Sequence, residues 1–162
     1  MPDGPLLDDG LPMADLGAWC EDKYKLIGLY VSLFATGMKF KWDRRVYVDL
    51  YSGPGIGRIR GTQRLEMGSP LIALTAKDPF DLYIFCEKDE VKLQALKTRA
   101  QRIAPERKIE YIQGDCNAVA DAICDRIPRA SSEQKVLSLC VVDPYDIGDQ
   151  VFDNQNPFNA VC

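Results

Sequence analysis

The chain has 162 residues, of which 46% are apolar and 27% charged, and its formal net charge is −4. This composition is typical of one soluble globular domain with a core of its own. The acidic balance excludes a general electrostatic footprint for nucleic acid, although a local basic strip stays possible. Histidine is absent, which excludes serine–histidine triads, histidine–cysteine dyads and histidine metal sites.

Cysteine spacing and the chain's apolar segments bear on its location. The six cysteines stand at positions 20, 86, 116, 124, 140 and 162, and no C-x-x-C pair occurs, so a zinc knuckle or thioredoxin-type site is not indicated. The start MPDGPLLDDGLP lacks the pattern of a signal peptide. No segment approaches the ~18 apolar residues of a membrane span. We expect reduced, structural cysteines and a cytoplasmic protein.

The first third of the chain predicts a leader, a helix and a strand. Residues 1–13, rich in proline, glycine and aspartate, are expected to form a flexible leader. Apolar residues recur at helical spacing from Ala14 to about Met38 and predict an amphipathic helix. The β-branched segment 45–50 predicts a strand. Residues 56–68 show no clean period and predict a loop or a small hairpin.

Strands and helices then alternate. Ser69-Pro70 predicts the N-cap and first position of a helix through about Lys77. We expect further strands at 82–87, 109–112 and 136–142, and helices at 89–104 and 117–127. The strand at 136–142 is apolar almost throughout, as is typical of a strand covered on both faces. The fold class is therefore α/β, with a parallel sheet and helices on both faces over residues 14–148 and an irregular tail at 149–162.

Carboxylates stand at the end of every predicted strand, where ligands bind in such sheets. They are Asp49, Glu87, Asp115 and Asp143. Gly53 and Gly55 follow the first strand and would let the backbone turn sharply and approach a ligand. Glu87 can accept hydrogen bonds from both hydroxyls of a ribose, or can cap the helix after it. Asp115 can accept from an adenine amino group, or can cap its own helix.

The charge pattern at this edge favours one nucleotide-like ligand. A dinucleotide pyrophosphate favours a helix N-terminus directly after the glycines, whereas here the next clear helix starts near Ser69. Asp49 at the turn would repel a pyrophosphate and would suit a cationic ligand with an amino group and a sulfonium. No G-x-x-x-x-G-K-[ST] motif occurs. S-adenosylmethionine fits this pattern best.

These motifs carry a family resemblance. VDLYSGPG resembles the first motif of Rossmann-like S-adenosylmethionine-dependent methyltransferases, and IFCEKD and QGDCN resemble the second and third. The ordered set YVDLYSGPG, GSPLIAL, YIFCEKD, GDCN and VVDPYD, over about residues 19–148, is similar to the three-Cys-motif partner proteins. These are bacterial methyltransferase-like proteins encoded beside a small cysteine-motif protein. The resemblance implies cofactor contacts at Asp49, Tyr51, Gly53, Gly55, Glu87 and Asp115.

The resemblance also implies a methyl-acceptor site after the fourth strand, at Asp143, Pro144 and Tyr145. This segment is similar to the Asp-Pro-Pro-Tyr motif of enzymes that methylate exocyclic amines, although one proline is missing. In those enzymes the carboxylate accepts a hydrogen bond from the target amine, and the aromatic ring stacks on a flipped base. A simple strand terminator at Asp143-Pro144 is the alternative.

The predicted sheet has fewer strands than the sheet of the family that the chain resembles. A methyltransferase sheet of this family has seven strands, and four are recognised here. We therefore expect a chain truncated after the fourth strand, or a sheet that another chain completes. The apolar fourth strand is also expected to mediate self-association through its exposed edge.

The leading interpretation is a methyltransferase-like protein that acts on an amine of a nucleic acid or nucleotide. Arg58, Arg60 and Arg64, close to the glycine turn, are candidates to meet phosphates, or they belong to a solvated loop. The second interpretation is a degenerate, non-catalytic methyltransferase domain that binds a partner protein such as the small cysteine-motif protein. The third is an NAD-dependent oxidoreductase, for which an acid–base pair for hydride transfer is missing.

Overall fold

The described part of the chain, residues 8–144 of a computed structural model, contains two sheets, one of four strands and one of three. In chain order the elements are β1 (Ala14–Leu16), α1 (Cys20–Met38), β2 (Arg44–Asp49), β3 (Ile56–Ile59), β4 (Leu65–Met67), α2 (Ser69–Leu74), β5 (Leu82–Glu87), α3 (Glu90–Ile103), β6 (Ile109–Gln113), α4 (Ala120–Cys124) and β7 (Val136–Val141).

The larger sheet has the order β6-β5-β2-β7, and all its neighbouring strands are parallel. Val48 in β2 lies opposite Ile84 of β5 on one side and Cys140 of β7 on the other. Helices α1, α2 and α3 pack on one face and α4 on the other. The α/β class with a parallel sheet is therefore confirmed, and this strand order is compatible with a Rossmann-like fold.

Side chains of β2 and β5 alternate between two cores. On the face of α1 to α3, the rings of Tyr47, Phe80, Tyr83 and Phe85 lie with neighbouring centroids 5.4–6.3 Å apart, mostly edge-on or tilted. Such pairs contribute about 0.5–1.5 kcal/mol each beyond the burial of their area. The opposite face is aliphatic, with Ile123 of α4 fully buried. The two cores hold the carboxyl ends of the strands in fixed positions.

The smaller sheet replaces part of the helix expected from Ala14. Strand β1 pairs in parallel with β3, and β3 pairs with β4 as an antiparallel hairpin, which confirms the hairpin alternative for residues 56–68. Helix α1 begins only at Cys20. Gly57 in β3 has no side chain, so Leu16 packs directly against its backbone. The amide of Arg60 also donates to the carbonyl of Leu16 at 2.9 Å.

Helices α2 and α4 are also shorter than the sequence predicts. Helix α2 ends at Leu74 rather than Lys77, and its N-cap is Gly68 rather than Ser69. Helix α4 spans Ala120–Cys124 rather than 117–127. Before α4 the carbonyl of Asp115 accepts from the amides of Ala118 and Val119, so a turn occupies the first residues of the expected helix.

A buried arginine ties the start of the described chain to the rest. The side chain of Arg99 in α3 is 2% exposed. Its Nε and Nη2 donate to the Asp9 carboxylate at 2.9 and 2.6 Å, and its Nη1 donates to the carbonyls of Pro12 and Pro54, each at 2.7 Å. Residues 9–12, expected within a flexible leader, are thereby joined to α3 and to the turn after β2.

Strand β7 stands at the edge of the larger sheet among the described residues. Except for Leu139 its residues are half-buried, so the expectation of a strand covered on both faces is not met in this part of the chain. Self-association through β7 stays a prediction. Tyr145 and the tail at 149–162 lie outside the described residues. Within the described range, no helix has the length and apolar character needed to cross a bilayer.

Candidate functional site

A cavity of about 720 Å³ lies at the carboxyl ends of β2, β5, β6 and β7. Every one of these strands contributes a lining residue just beyond its end, as the sequence predicts. The cavity volume falls within the range of roughly 300–1,000 Å³ that is usual for small-molecule sites. Strand β1 and the first turn of α1 form a further wall, which the sequence did not predict. The turn after β2 lies at the centre of the site.

The two glycines of this turn have different roles. Both have positive φ, +60° at Gly53 and +84° at Gly55. A Cβ on Gly53 would meet no atom within 4 Å, whereas a Cβ on Gly55 would lie 2.9 Å from Leu96 and 3.1 Å from Leu71. Gly53 therefore presents open backbone to the cavity. The side-chain direction of Gly55 points into the core, so its glycine is needed for packing as well as for the turn.

Glu87 joins the glycine turn to the start of α3. Its Oε2 accepts from the amide of Gly53 and its Oε1 from the amide of Asp89, both at 2.8 Å. Asp89, not Glu87, is the N-cap of α3 and accepts from the amide of Lys92. A carboxylate offers about four lone-pair positions, so these two bonds leave capacity for two ligand hydroxyls. Glu87 borders the cavity. It can therefore hold the glycine turn against the start of α3 and also accept hydrogen bonds from a ligand.

Asp115 lies at the rim beyond β6. Its Oδ2 accepts from Nζ of Lys88 at 3.1 Å, and its Oδ1 accepts from the amide and the side chain of Asn117, both at 3.1 Å. The bond from Lys88, with smaller contributions from Asn117, lowers the pKa of the Asp115 carboxyl. It is therefore ionised at neutral pH. Asp115 closes the turn before α4, and it also lines the cavity.

Asp49 lies beneath the turn rather than among the residues that line the cavity. It is fully buried; the Tyr47 hydroxyl donates to its Oδ2 at 3.1 Å and the amide of Tyr51 to its Oδ1 at 3.3 Å. Burial raises the pKa of Asp49 to about 6. The next residues, Tyr51 and Ser52, do line the cavity. Asp49 therefore holds the turn from beneath and does not itself line the cavity; a contact between Asp49 and a cofactor stays a prediction.

The side of the cavity beyond β7 contains residues that the sequence reasoning missed. Nζ of Lys23 donates to Oδ2 of Asp143 at 2.6 Å and lies 4.6 Å from the ring centroid of Trp19 and 4.8 Å from that of Tyr24. All four residues line the cavity. Trp19 and Lys23 are four positions apart, the spacing that places two residues on one helix face. The sequence therefore predicts that Trp19 and Lys23 share a helix face, but it does not indicate that α1 lies over the carboxyl end of β7.

Pro144 is the last described residue, and Tyr145 follows it outside the described residues. The structure therefore brings together the lining residues at the four strand ends but does not place the tyrosine of the Asp-Pro-Tyr segment.

The three arginines of the β3–β4 hairpin have different surroundings. Nη2 of Arg58 lies 2.5 Å from Oδ2 of Asp8, and Nη2 of Arg64 lies 2.6 Å from Oε1 of Glu66 and 3.1 Å from Oε1 of Glu21. Both arginines are paired with carboxylates of this chain. Arg60 borders the cavity. A phosphate contact at Arg58, Arg60 and Arg64 stays a prediction.

Two thiols near the site, those of Cys86 and Cys116, are not activated. Burial raises the pKa of Cys86 to about 12 and also raises that of Cys116, which borders the cavity. Both thiols are protonated at neutral pH, so the structure offers no thiolate nucleophile at these positions. Within residues 8–144 no group of three or more histidine, cysteine or acidic residues is arranged to hold a metal ion.

The chain matches no protein-family model, no curated protein and no solved structure.

Proposed function

We propose that this cavity binds S-adenosylmethionine and that the chain is a methyltransferase-like protein acting on an amine of a nucleic acid or nucleotide. One observation carries the proposal: the carboxylate of Glu87 and the open backbone of Gly53 are joined by a 2.8 Å hydrogen bond at the cavity wall. This arrangement combines close backbone approach with a paired hydroxyl acceptor, the two features that a nucleoside requires.

The adenosine half of the ligand would use the ends of β5 and β6. The two strands are neighbours, with Glu87 directly opposite Gln113, and Asp115 follows two residues later. Glu87 would accept from the two ribose hydroxyls, and Asp115 would accept from the adenine amino group with the lone pairs that Lys88 and Asn117 leave unused. The ion pair with Lys88 keeps Asp115 in the ionised, accepting state.

The methionine half would lie over the glycine turn, toward β7. Its sulfonium and ammonium groups are cations, and the carboxylates of Glu87, Asp115 and Asp143 border the same cavity. Arg60 and Lys23 offer cations for the ligand's single carboxylate. A dinucleotide is a poorer fit, because the chain after the turn enters the β3–β4 hairpin and not a long helix whose N-terminus binds pyrophosphate.

Methyl transfer at this site would proceed by direct displacement. The lone pair of the acceptor nitrogen forms a bond to the methyl carbon as the carbon–sulfur bond breaks, and the positive charge moves from sulfur to nitrogen. The nitrogen then releases a proton to water. Asp143 would accept a hydrogen bond from the acceptor amine and orient its lone pair. Such a reaction needs positioning and electrostatic stabilisation more than a strong base, which suits a chain without histidine.

A calorimetric titration tests the cofactor assignment. We expect S-adenosylhomocysteine, the demethylated product, to bind at least about tenfold more tightly than NAD. Glu87→Ala is expected to weaken binding by about 1–3 kcal/mol, because hydrogen bonds to a charged group are lost. Glu90→Ala is the control, since Glu90 is exposed and does not line the cavity. Tighter binding of NAD by tenfold would show that the assignment is wrong.

The second candidate function is that of a degenerate, non-catalytic domain. It is favoured by the hydrogen bond that the Asp143 carboxylate already accepts within the chain. The carboxylate already accepts from Lys23 at 2.6 Å, and an acceptor amine would have to share or displace this bond. A chain that binds S-adenosylhomocysteine but transfers no methyl group to nucleotides, RNA or DNA would support this candidate. A small cysteine-motif protein would then be the first partner to test.

A further inference from the structure

The ammonium group of Lys23 lies among two aromatic rings and a carboxylate at the side of the cavity beyond β7. Its Nζ donates to Oδ2 of Asp143 at 2.6 Å, and the ring centroids of Trp19 and Tyr24 lie 4.6 and 4.8 Å away. All four residues line the cavity, and we refer to them as the Lys23 cluster. The negative faces of the two rings attract the ammonium whichever carboxylate it meets. Lys23 is therefore held in the cluster by more than its bond to Asp143.

The Lys23 cluster contains one cation and one anion. Burial, followed by the charge of Asp143, raises the pKa of the Tyr24 hydroxyl well above its usual range, so this hydroxyl stays neutral. The side chains of Lys23 and Asp143 are 23% and 22% exposed, so salt and water screen their charges less than those of an exposed pair. One ammonium cannot neutralise two carboxylates, which repel each other. A ligand carboxylate that enters the cluster therefore competes with Asp143 for Lys23.

Lys23 differs from the other cations that line the cavity. In the described part of the chain these are Arg60, Lys88 and Lys92, and all three are exposed, whereas Lys23 is half-buried. Lys88 is paired with Asp115 at the rim, and Lys92 lies in the first turn of α3, on the side of the proposed adenosine contacts. A half-buried cation attracts an anion more strongly than an exposed one, because it is less screened. Lys23 is therefore the strongest candidate to bind the ligand's carboxylate.

We propose that Lys23 exchanges one carboxylate for another when the ligand binds. Its ammonium turns from Asp143 to the carboxylate of the ligand's amino-acid part, and Asp143 is thereby released to accept a hydrogen bond from the acceptor amine. This inference rests on the proposed function. Lys23 then selects ligands that carry a carboxylate, and it also controls when Asp143 is available. The exchange explains how a carboxylate that is paired in this structure can still orient a methyl acceptor.

Two matched ligands test the selection. S-adenosylhomocysteine and its decarboxylated analogue differ only in the carboxylate, and calorimetry measures the affinity of each. We expect the wild type to bind S-adenosylhomocysteine at least about tenfold more tightly than the analogue, and Lys23→Met to reduce this ratio to within about threefold, because a charge-assisted hydrogen bond is lost. Lys25→Met is the control and should keep the ratio, since Lys25 is exposed and does not line the cavity. Circular dichroism verifies that each variant keeps its fold.

An Asp143→Asn variant tests the exchange itself and retains Lys23. We expect it to bind S-adenosylhomocysteine about twofold more tightly than the wild type, because Lys23 no longer has to leave a carboxylate. This gain should disappear in the Lys23→Met background. Weaker binding by Asp143→Asn would overturn the exchange, since Asp143 would then attract the ligand instead of competing with it.

The same titrations separate this inference from the proposed function. Equal affinity of the wild type for the two ligands would overturn the exchange alone, because S-adenosylhomocysteine would still bind. A ratio that is lost in Arg60→Met and kept in Lys23→Met would also overturn it, since Arg60 would then hold the carboxylate. A wild type that binds neither ligand would overturn the proposed function and, with it, the exchange.

Discussion

Nζ of Lys23 and Oδ2 of Asp143 lie 2.6 Å apart, in an ion pair that joins the first turn of α1 to the carboxyl end of β7. The two side chains are 23% and 22% exposed, and the rings of Trp19 and Tyr24 flank the ammonium group. The pair therefore fixes both the position of Asp143 and the placement of α1 over the cavity.

Asp143 is expected to act on the methyl acceptor and not on the cofactor. Asp143→Ala should lower methyl transfer by at least about 10²-fold, since the acceptor amine loses its orienting hydrogen bond, while changing affinity for S-adenosylhomocysteine by less than about threefold. Lys23→Met is the companion variant, because it keeps Asp143 and removes both the ion pair and one of the two cations offered to the carboxylate of the cofactor. An equal loss in cofactor affinity would assign Asp143 to the cofactor site, and unchanged turnover would leave it as a strand terminator.

Asp9 and Asp8 are adjacent carboxylates with very different expected effects on stability. Asp9→Ala leaves the buried guanidinium of Arg99 without its carboxylate and should cost about 3–5 kcal/mol in the free energy of unfolding. Asp8→Ala removes a pair with Arg58 in which the side chains are 56% and 37% exposed, and should cost less than about 1 kcal/mol. Urea denaturation measures both. Equal small losses would show that Arg99 does not anchor residues 9–12.

Gly53 and Gly61 form a matched pair for testing close approach of a ligand. Both have positive φ, and a Cβ on either would meet no atom within 4 Å, so Gly53→Ala and Gly61→Ala carry a similar backbone penalty of about 1–2 kcal/mol. Gly53 lines the cavity and Gly61 does not. Calorimetry should show weaker binding of S-adenosylhomocysteine for Gly53→Ala alone. The same affinity in both variants would mean that no ligand approaches this backbone.

Gly55 is expected to matter for stability. Gly55→Ala places a methyl group within 2.9 Å of Leu96 and 3.1 Å of Leu71, at a φ of +84°. Crowding together with the left-handed backbone should lower the free energy of unfolding by about 2–4 kcal/mol. Thermal denaturation followed by circular dichroism measures this loss. A variant as stable as the wild type would contradict the packing role.

Asp49 should make stability depend on pH. Its pKa is raised from 3.8 to about 6 by burial, so the folded state holds a proton that the unfolded state has released between these values. The stabilising contribution is full below about pH 4 and is lost as pH rises through 6. Relative to the wild type, Asp49→Asn should gain about 2–3 kcal/mol between pH 4 and 7, because asparagine stays neutral. A stability difference that is constant over this pH range would exclude a raised pKa.

The larger sheet could be predicted because its strands are local and strongly patterned. Segments 82–87 and 136–142 are apolar almost throughout, and the structure has strands at Leu82–Glu87 and Val136–Val141. The meeting of the strand-end turns also followed from the sequence, since parallel strands deliver their carboxyl ends to one edge of the sheet. The cavity-lining residues at the ends of these strands could therefore be predicted from the sequence.

Tertiary contacts decided the features that local pattern could not show. Residues 14–16 form strand β1 because Gly57 lets them approach β3 closely. The helical spacing of apolar residues from Ala14 onward does not indicate this pairing. The ion pairs of Asp9 with Arg99 and of Lys23 with Asp143 join residues about 90 and 120 positions apart, so no local signal encodes them. The sequence by itself determined the strands and the carboxylates at their ends, because a strand is specified by the apolar pattern of a few consecutive residues. Only the packed structure decided that Gly55 faces the core, that Asp49 lies beneath the turn, and that α1 closes one side of the cavity, because each depends on elements that are distant in the chain.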